Sequence, residues 1–320
     1  MASGPAYDRA PSPELQALLS PGGFLAPLLA LSKRRVARCH LDVHLRPDDK
    51  IIVYCGLTKL VDICMKNGMI DVTAESTYTT QSCAGDLFRE WDDQEPGFED
   101  ALNDYLGNVA VAEAQTGREG GIQARWSRVT EPWIPFDRDA VLAYESKREK
   151  TKAMECQEVD EAYVQLGAIV ASKRKLPYRK DHWAMLPQRK KSNEIDQIAV
   201  DPQGRLVIVE LKDASASDVY YAPFQLLQYV WEWHNALGAV RGSLQKLLDA
   251  RVALGLTPAN VPRITGGVRA AIGLGDDGRS EEVRHRYERV LGVVNAHLPL
   301  GVSPIETWKL WVAGPPEHIG

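Results

Sequence analysis

The chain has 320 residues and a mass of 35.5 kDa; 44% of its residues are hydrophobic and 25% are charged. This composition excludes fibrous and disordered chains, and the length suffices for two globular domains. The net charge of −5 at pH 7 argues against a protein that coats nucleic acid with its whole surface, although a local basic patch remains compatible with it.

No apolar run approaches the roughly 18 residues of a membrane helix, so no membrane partner is expected. The longest apolar run near the N-terminus precedes a basic cluster, which is the reverse of a secretory signal. The five cysteines are odd in number and lack Cys-x-x-Cys spacing. This pattern is typical of reduced thiols in a cytoplasmic protein and does not favour a zinc site.

The N-terminal half is predicted to hold a loosely ordered arm, residues 1–32, followed by a strand-rich domain, residues 33–136. The arm is rich in Pro, Gly, Ser and Ala and has one short helix near residues 14–19. Polar and apolar residues alternate over residues 38–46, which predicts a half-buried strand with His40 and His44 on its exposed face. The domain's other predicted elements are strands at 50–55 and 69–78, a helix at 99–113, and extended segments at 122–130 and 133–136.

Asp137 marks the predicted domain boundary, because its side chain can cap a helix that begins at Arg138 and continues, with at most one break, to about residue 172. Residues 137–320 form the second predicted domain. Its further predicted elements are strands at 182–189, 194–201, 205–212, 267–274 and 304–312, and helices at 222–237, 241–254 and 280–297. This order predicts an α/β or α+β fold in which helices flank a central mixed sheet.

Three charged residues, Asp196, Glu210 and Lys212, interrupt two apolar strands that a Pro-Gln-Gly turn joins. Glu210 and Lys212 share one face of their strand, and a hairpin would place Asp196 beside them. Two partly buried carboxylates repel each other unless a cation lies between them, and oxygen ligands suit Mg²⁺ or Mn²⁺. The alternative is an internal salt bridge of Lys212 with Glu210 or Asp196, which would explain one pair but not three converging charges.

The helix after this hairpin carries Gln225 and Tyr229, four residues apart and therefore on one helix face. The order Asp196, Glu210-Leu211-Lys212 and Gln-x-x-x-Tyr resembles the motifs of the PD-(D/E)xK nuclease superfamily, most closely its RecB-type branch. The resemblance covers about residues 145–312. It implies a restriction-endonuclease-like core in the second domain.

Two positions differ from the motifs of this superfamily. Ile195 stands where a Pro often precedes the Asp, and Ser192-Asn193 replace a Gly that is common just before that strand. Neither difference removes a residue that would bind a metal ion.

The resemblance implies a role for each motif residue. Asp196, Glu210 and the backbone carbonyl of Leu211 would bind Mg²⁺ or Mn²⁺. Lys212 would orient and help to deprotonate the attacking water, or stabilise charge that develops on the phosphate. The Gln and Tyr of the helix would line the site and hold the metal-bound water, the lysine or the DNA backbone.

Members of this superfamily often carry one more acid on the first helix. Glu155 falls on the apolar face of the predicted helix and Glu158 at its edge, so Glu155 is the first candidate and Glu158 the second. A solvated acid in the first turn explains Glu155 equally well. Glu194 projects to the same face as Asp196 and could join the site, but we favour a pair with Lys190 or Lys191.

A basic segment directly precedes the predicted hairpin. Between Ala171 and Asn193 the chain has eight Lys or Arg and one acid. Beside a phosphodiester site, such a segment favours nucleic-acid binding over a merely solvated connection. The basic residues are Lys173, Arg174, Lys175, Arg179, Lys180, Arg189, Lys190 and Lys191.

Together these patterns lead us to expect a Mg²⁺- or Mn²⁺-dependent nuclease that hydrolyses phosphodiester bonds of DNA, in defence against foreign DNA or in DNA repair. The N-terminal domain would bind substrate, form a homodimer or recognise a protein partner. One alternative is a catalytically inactive scaffold that binds nucleic acid, and another is an RNA-cleaving or junction-resolving enzyme.

Overall fold

A computed structural model describes residues 4–36, 39–112, 118–174, 183–186, 194–216, 218–275, 279–310 and 315–319, without the side chains of residues 118, 173 and 174. Within these residues the protein is a mixed α/β structure with two six-stranded sheets. None of the described helices combines the length and apolar character that a membrane crossing requires.

The first sheet is an antiparallel meander whose strands lie side by side in chain order. Its turns follow from local sequence: Asn67 and Gly68 both have positive φ and join two strands in a tight hairpin. The strands are β1 (Arg35–Val36), β2 (Cys39–Arg46), β3 (Lys50–Cys55), β4 (Thr58–Lys66), β5 (Met69–Thr73) and β6 (Glu90–Trp91). The helices of this part are α1 (Pro13–Leu19), α2 (Pro27–Ala30), α3 (Ser76–Thr79) and α4 (Phe98–Asn108).

The second sheet also follows chain order, but its strand directions are mixed. Its strands are β7 (Ile134–Ala140), β8 (Ile195–Val200), β9 (Leu206–Lys212), β10 (Val268–Leu274), β11 (Glu306–Leu310) and β12 (Pro316–His318). The helices are α5 (Arg118–Trp126), α6 (Lys147–Met154), α7 (Gln157–Arg174), α8 (Ala222–Ala253) and α9 (Glu281–Asn295). The first three strands are antiparallel, β9 to β11 are parallel, and β12 is antiparallel. Parallel neighbours need crossovers, and α8 and α9 provide them.

The strands predicted around the charged hairpin are confirmed within a residue or two, but three predictions nearby are wrong. Residues 138–140 continue β7, which pairs with β8, so Asp137 caps no helix and the predicted domain boundary falls inside a strand. Residues 122–126 of the segment predicted as extended belong to α5, and the two helices predicted at 222–237 and 241–254 are the single helix α8. Capping and breaking preferences are local and weak, and the pairing of β7 with apolar β8 overrides them.

The predicted strand at 182–189 lies mostly outside the described residues, and residues 183–186 are not extended into a sheet. At the N-terminus, the arm expected to be loosely ordered packs against the rest of the chain. Tyr7, Leu15 and Leu19 are buried, and Ala6 forms a β-bridge with Ala143.

His44, expected on an exposed face, is buried as well, because residues of the second sheet cover β2. One continuous apolar cluster contains residues of both sheets. A smaller apolar cluster lies on the opposite face of the second sheet, where the Trp126 and Trp133 rings stack with 5.2 Å between their centroids.

Candidate active site

A polar cavity of about 350 Å³ opens at the edge of the second sheet, where β9 ends and α8 begins. Five side chains that the sequence predicted for the site line this cavity together. The structure thus brings Asp196, Glu210, Lys212, Gln225 and Tyr229 into one place. Three further acids, Glu119, Asp139 and Glu194, complete the described lining.

The turn between β8 and β9 fixes the register of the two carboxylates. Gly204 has φ +77°, and a Cβ there would lie 2.3 Å from the carbonyl oxygen of Arg263, so only glycine fits. The buried Asp201 carboxylate accepts hydrogen bonds from the backbone N–H of Gln203 and Arg205, at 3.0 and 2.8 Å. The ladder pairs Gln197 with Val209, and continuing it places Asp196 opposite Glu210, on the same face.

Asp196 is held against the neighbouring strand. Its Oδ2 accepts a 2.7 Å hydrogen bond from the backbone N–H of Leu211. Burial raises the pKa of Asp196, and the charges of Glu119 and Asp139 raise it further, whereas Lys212 and the Leu211 N–H oppose the shift. The net effect is a raised pKa. Within the fold, the ionised form of Asp196 is therefore destabilised relative to the protonated form, and an added cation would stabilise it.

Lys212 forms an ion pair with Glu210, with 2.6 Å between Nζ and Oε1. Burial disfavours the charged amine, but Glu210 and Asp196 outweigh this effect and raise the pKa of Lys212. Lys212 therefore stays protonated over the physiological range. This is the internal salt bridge that the sequence left open as an alternative, and it leaves the raised pKa of Asp196 and the additional acids unexplained.

Gln225 and Tyr229 lie on the first two turns of α8, whose apolar side packs on the sheet. Burial raises the pKa of Tyr229, the charge of Glu210 adds to this effect, and a hydrogen bond from Gln225 opposes it. The Tyr229 hydroxyl consequently keeps its proton and can donate a hydrogen bond into the cavity.

Glu119 and Asp139 were not predicted for the site. Glu119 lies in the first turn of α5, between the predicted helix at 99–113 and the predicted extended segment at 122–130. The helix approaches the sheet closely because Gly273 has no side chain: a Cβ there would lie 2.6 Å from Leu211 Cδ2 and 2.8 Å from Trp126 Cε2. Asp139 belongs to β7, in residues predicted as helix. The sequence shows that both residues are acids, but it does not show which acids far apart in the chain come together in the fold.

Other predicted residues are not brought to this cavity. Glu155 lines a separate surface cavity along α7, and Glu158 accepts a 3.1 Å hydrogen bond from the Cys156 thiol. Glu194 lines the site, but its predicted partners Lys190 and Lys191 lie outside the described residues. The same holds for the side chains of the other six basic residues, Lys173, Arg174, Lys175, Arg179, Lys180 and Arg189.

The donor chemistry of the cavity fits a hard divalent cation. Its candidate ligands are all oxygen atoms: the carboxylates of Asp196 and Glu210 line the cavity, and the resemblance adds the backbone carbonyl of Leu211. Within the described part of the chain, no three His, Cys, Asp or Glu side chains are grouped closely enough to hold an ion by themselves. This candidate ligand set needs only two carboxylates, and the strain on ionised Asp196 favours a cation beside it.

Fold and site together define a mixed α/β protein with an acid-rich cavity at the edge of its second sheet. Comparisons of the chain with models of protein families, with curated proteins and with solved structures find no match. The functional argument therefore depends on the chemistry of the cavity.

Proposed function

We propose that the protein is a metal-dependent nuclease of the PD-(D/E)xK type that hydrolyses phosphodiester bonds of DNA. The observation that carries this proposal is the convergence of Asp196, Glu210 and Lys212 with Gln225 and Tyr229 in one cavity. The motif residues come from two strands and a helix, and a chance match in sequence would not require them to share a site.

The order of elements around the cavity supports a restriction-endonuclease-like core. Helix α5 precedes three antiparallel strands, β7 to β9, and α8 then crosses over to the parallel strand β10. Asp196 is the second residue of the second of these strands, and Glu210 to Lys212 end the third. On this proposal α5 would be the first helix of the core, and its Glu119 would take the role for which Glu155 was the first candidate and Glu158 the second.

Asp196, Glu210 and the backbone carbonyl of Leu211 would hold the metal ion, Mg²⁺ or Mn²⁺. When bound, such an ion would stabilise negative charge on the scissile phosphate and lower the pKa of water in the site. The ionised form of Asp196 would then no longer be destabilised, because the charge of the cation offsets the effects of burial and of the nearby acids.

In the metal-free protein the charges of Glu210 and Asp196 raise the pKa of Lys212, which supports the second of the two roles that the resemblance implies, stabilisation of charge on the phosphate. A lysine that stays protonated cannot accept the proton of the attacking water. Lys212 would instead orient the water and stabilise charge on the phosphate through its ammonium group. Gln225 and the protonated hydroxyl of Tyr229 would position the phosphate or the water by hydrogen bonds.

The reaction supported by this site is simple hydrolysis. The oxygen of water bonds to phosphorus, the phosphorus–oxygen ester bond breaks, and the departing oxygen takes up a proton. The products are a free hydroxyl and a phosphate monoester. No residue of the chain needs to form a covalent intermediate.

The test is a substrate panel of plasmid, linear duplex, single-stranded DNA and RNA, each with Mg²⁺, Mn²⁺ or EDTA. We expect metal-dependent cleavage of DNA by the wild-type protein and none by Asp196→Ala or Lys212→Ala. Asp249→Ala, an exposed acid near the far end of α8, is the matched control and should cleave normally. Cleavage that survives both site substitutions would refute the assigned residues. DNA binding that needs neither Asp196 nor metal, with no cleavage, would favour the scaffold.

A further inference from the structure

A cluster of buried charges joins the N-terminal segment and the first sheet to β7. The Asp137 carboxylate, which is almost fully buried, lies at its centre. Arg46 Nη1 lies 2.7 Å from Asp137 Oδ1, and Arg9 Nη1 lies 3.1 Å from Oδ2. The Tyr7 hydroxyl also donates to this carboxylate, and His44 Nδ1 lies 3.3 Å from it.

Arg9 does more in this cluster than neutralise Asp137. Its Nη1 also donates to the backbone carbonyl of Arg138, at 3.0 Å, and its Nη2 donates to that of Asp139, at 2.7 Å. The guanidinium group is thus fixed to three consecutive residues of β7. Its planar array of donors makes this possible, and a lysine ammonium could not reach the same acceptors in the same geometry.

Asp139 needs such support, because its backbone has φ +47°. A side chain other than glycine is strained in this left-handed region and persists there only where neighbours impose it. The consequence of this conformation lies in the cavity, whose lining includes the Asp139 side chain. Two cations flank its carboxylate: Arg138 Nε lies 3.5 Å and Arg46 Nη2 lies 3.8 Å from Oδ2.

We propose that Arg9 is a positioning residue of the candidate active site: by binding the backbone of β7 it holds Asp139 in the conformation that turns its carboxylate toward Asp196. The N-terminal segment, which contains Arg9, thereby contributes to the geometry of the candidate active site. The catalytic consequence rests on the proposed nuclease function, whereas the positioning itself is a property of the fold.

The alternative is a purely structural role, in which Arg9 only attaches the N-terminal segment to the rest of the chain. Arg251 provides the matched control, because it is another buried arginine that donates to a backbone carbonyl, Val43 at 2.9 Å, and forms no described hydrogen bond to β7, although its charge also acts on Asp137. The variants Arg9→Lys and Arg251→Lys therefore make the same chemical change in similar surroundings. They differ in whether the bound carbonyls belong to the strand that lines the cavity.

The experiment compares wild type and these variants by hydrogen exchange of residues 137–143 and by steady-state cleavage of DNA with Mn²⁺. For Arg9→Lys we expect at least tenfold faster exchange in this stretch and a fall in kcat of about 100-fold with KM within twofold, because small misplacements near reacting groups cost about that much. For Arg251→Lys we expect unchanged exchange there and kcat within twofold. Asp139→Asn, which tolerates left-handed φ but has no charge, should lower kcat by at least about the same factor as Arg9→Lys while keeping β7 protected.

Unchanged exchange in Arg9→Lys would overturn the positioning role, even if the wild-type protein cleaves nothing and the nuclease proposal fails. Faster exchange with unchanged kcat would overturn the link to the active site and leave the nuclease proposal standing. If Arg9→Lys does not fold, Asp139→Asn decides, and a normal kcat in that variant would also overturn the inference.

Discussion

Asp137 and Asp196 lie on neighbouring strands of one sheet, the first buried and the second half-buried, yet their surroundings have opposite effects on the carboxylate pKa. Burial alone would raise the pKa of Asp137, but Arg9, Arg46 and His44 hold it well below the usual range. Burial also raises the pKa of Asp196, and there nearby acids add to the shift while a single lysine opposes it.

The difference separates a charge that the fold stabilises from one that the fold leaves destabilised. The protein supplies every partner that Asp137 needs, so the ionised form is stable without a ligand. Asp196 is left with an excess of negative charge around it, an arrangement that costs stability and that a bound cation would relieve. The burial of an acid alone indicates little; the charges around it indicate whether its ionised form is stable without a ligand.

The largest expected effect concerns catalysis at Asp196. Asp196→Asn keeps an oxygen that can accept the Leu211 N–H but removes the charge. Because charge stabilisation by a metal ion contributes several kcal/mol, we expect Mg²⁺-dependent cleavage to fall about 1000-fold. Single-turnover cleavage of a labelled duplex measures this. A variant that cleaves within tenfold of wild type would remove the basis for distinguishing the two aspartates.

The counterpart at Asp137 should affect folding instead. Asp137→Asn leaves Arg9 and Arg46 buried without their counter-charge, and we expect the free energy of unfolding to fall by about 3–5 kcal/mol. Urea denaturation measures the loss. Asp62→Asn, which breaks an ion pair of 2.8 Å with the half-exposed Lys50, is the matched control and should cost at most about 1 kcal/mol. Equal losses in the two variants would contradict the structural role of Asp137.

A smaller effect should separate the acid found in the structure from the two that the sequence favoured. Glu119→Gln should lower kcat about tenfold, which corresponds to about 1.4 kcal/mol in the barrier. Glu155→Gln and Glu158→Gln lie outside the cavity and should stay within twofold. The same cleavage assay distinguishes them. A loss in Glu155→Gln rather than in Glu119→Gln would mean that α7 supplies the extra acid.

The smallest effect is a pH dependence of stability with opposite signs at the two aspartates. Since the folded pKa of Asp137 is lowered, its contribution is present above the unfolded pKa and is lost as the pH falls through the folded pKa. Since the folded pKa of Asp196 is raised, its contribution is present below the unfolded pKa and is lost as the pH rises through the folded pKa.

Asp196→Asn should therefore gain stability relative to wild type as the pH rises to neutrality, whereas Asp137→Asn should lose it. Urea denaturation of the three metal-free proteins between about pH 3 and pH 8 tests this. A change of the same sign in both variants would show that the two environments are not opposed.

The elements that position Asp196 could be predicted from the sequence, whereas the contacts of Asp137 could not. Alternating apolar residues, a turn with glycine and a pair of helix residues four apart define β8, β9 and the start of α8, and the structure confirms these elements. These signals are local. Their side chains converge because hairpin register and helix periodicity are fixed by short-range geometry.

The cluster around Asp137 depends on contacts between residues far apart in the chain. Tyr7 and Arg9 come from a segment whose composition indicated disorder, and Arg46 comes from the end of a strand in the other sheet. Asp137 itself resembled a helix cap because aspartate is favoured there. The same limit explains why Glu119 and Asp139 were missed: only tertiary packing brings α5 and β7 to the cavity.

Titration with Mn²⁺, followed by the loss of the free-ion electron paramagnetic resonance signal, tests the central claim most directly. The claim is that the cavity around Asp196 is built for a divalent cation. We expect wild type and the control Asp249→Ala to bind Mn²⁺ alike, and Asp196→Asn to bind it at least tenfold more weakly. Equal Mn²⁺ binding by wild type and Asp196→Asn, or none by wild type, would contradict the claim.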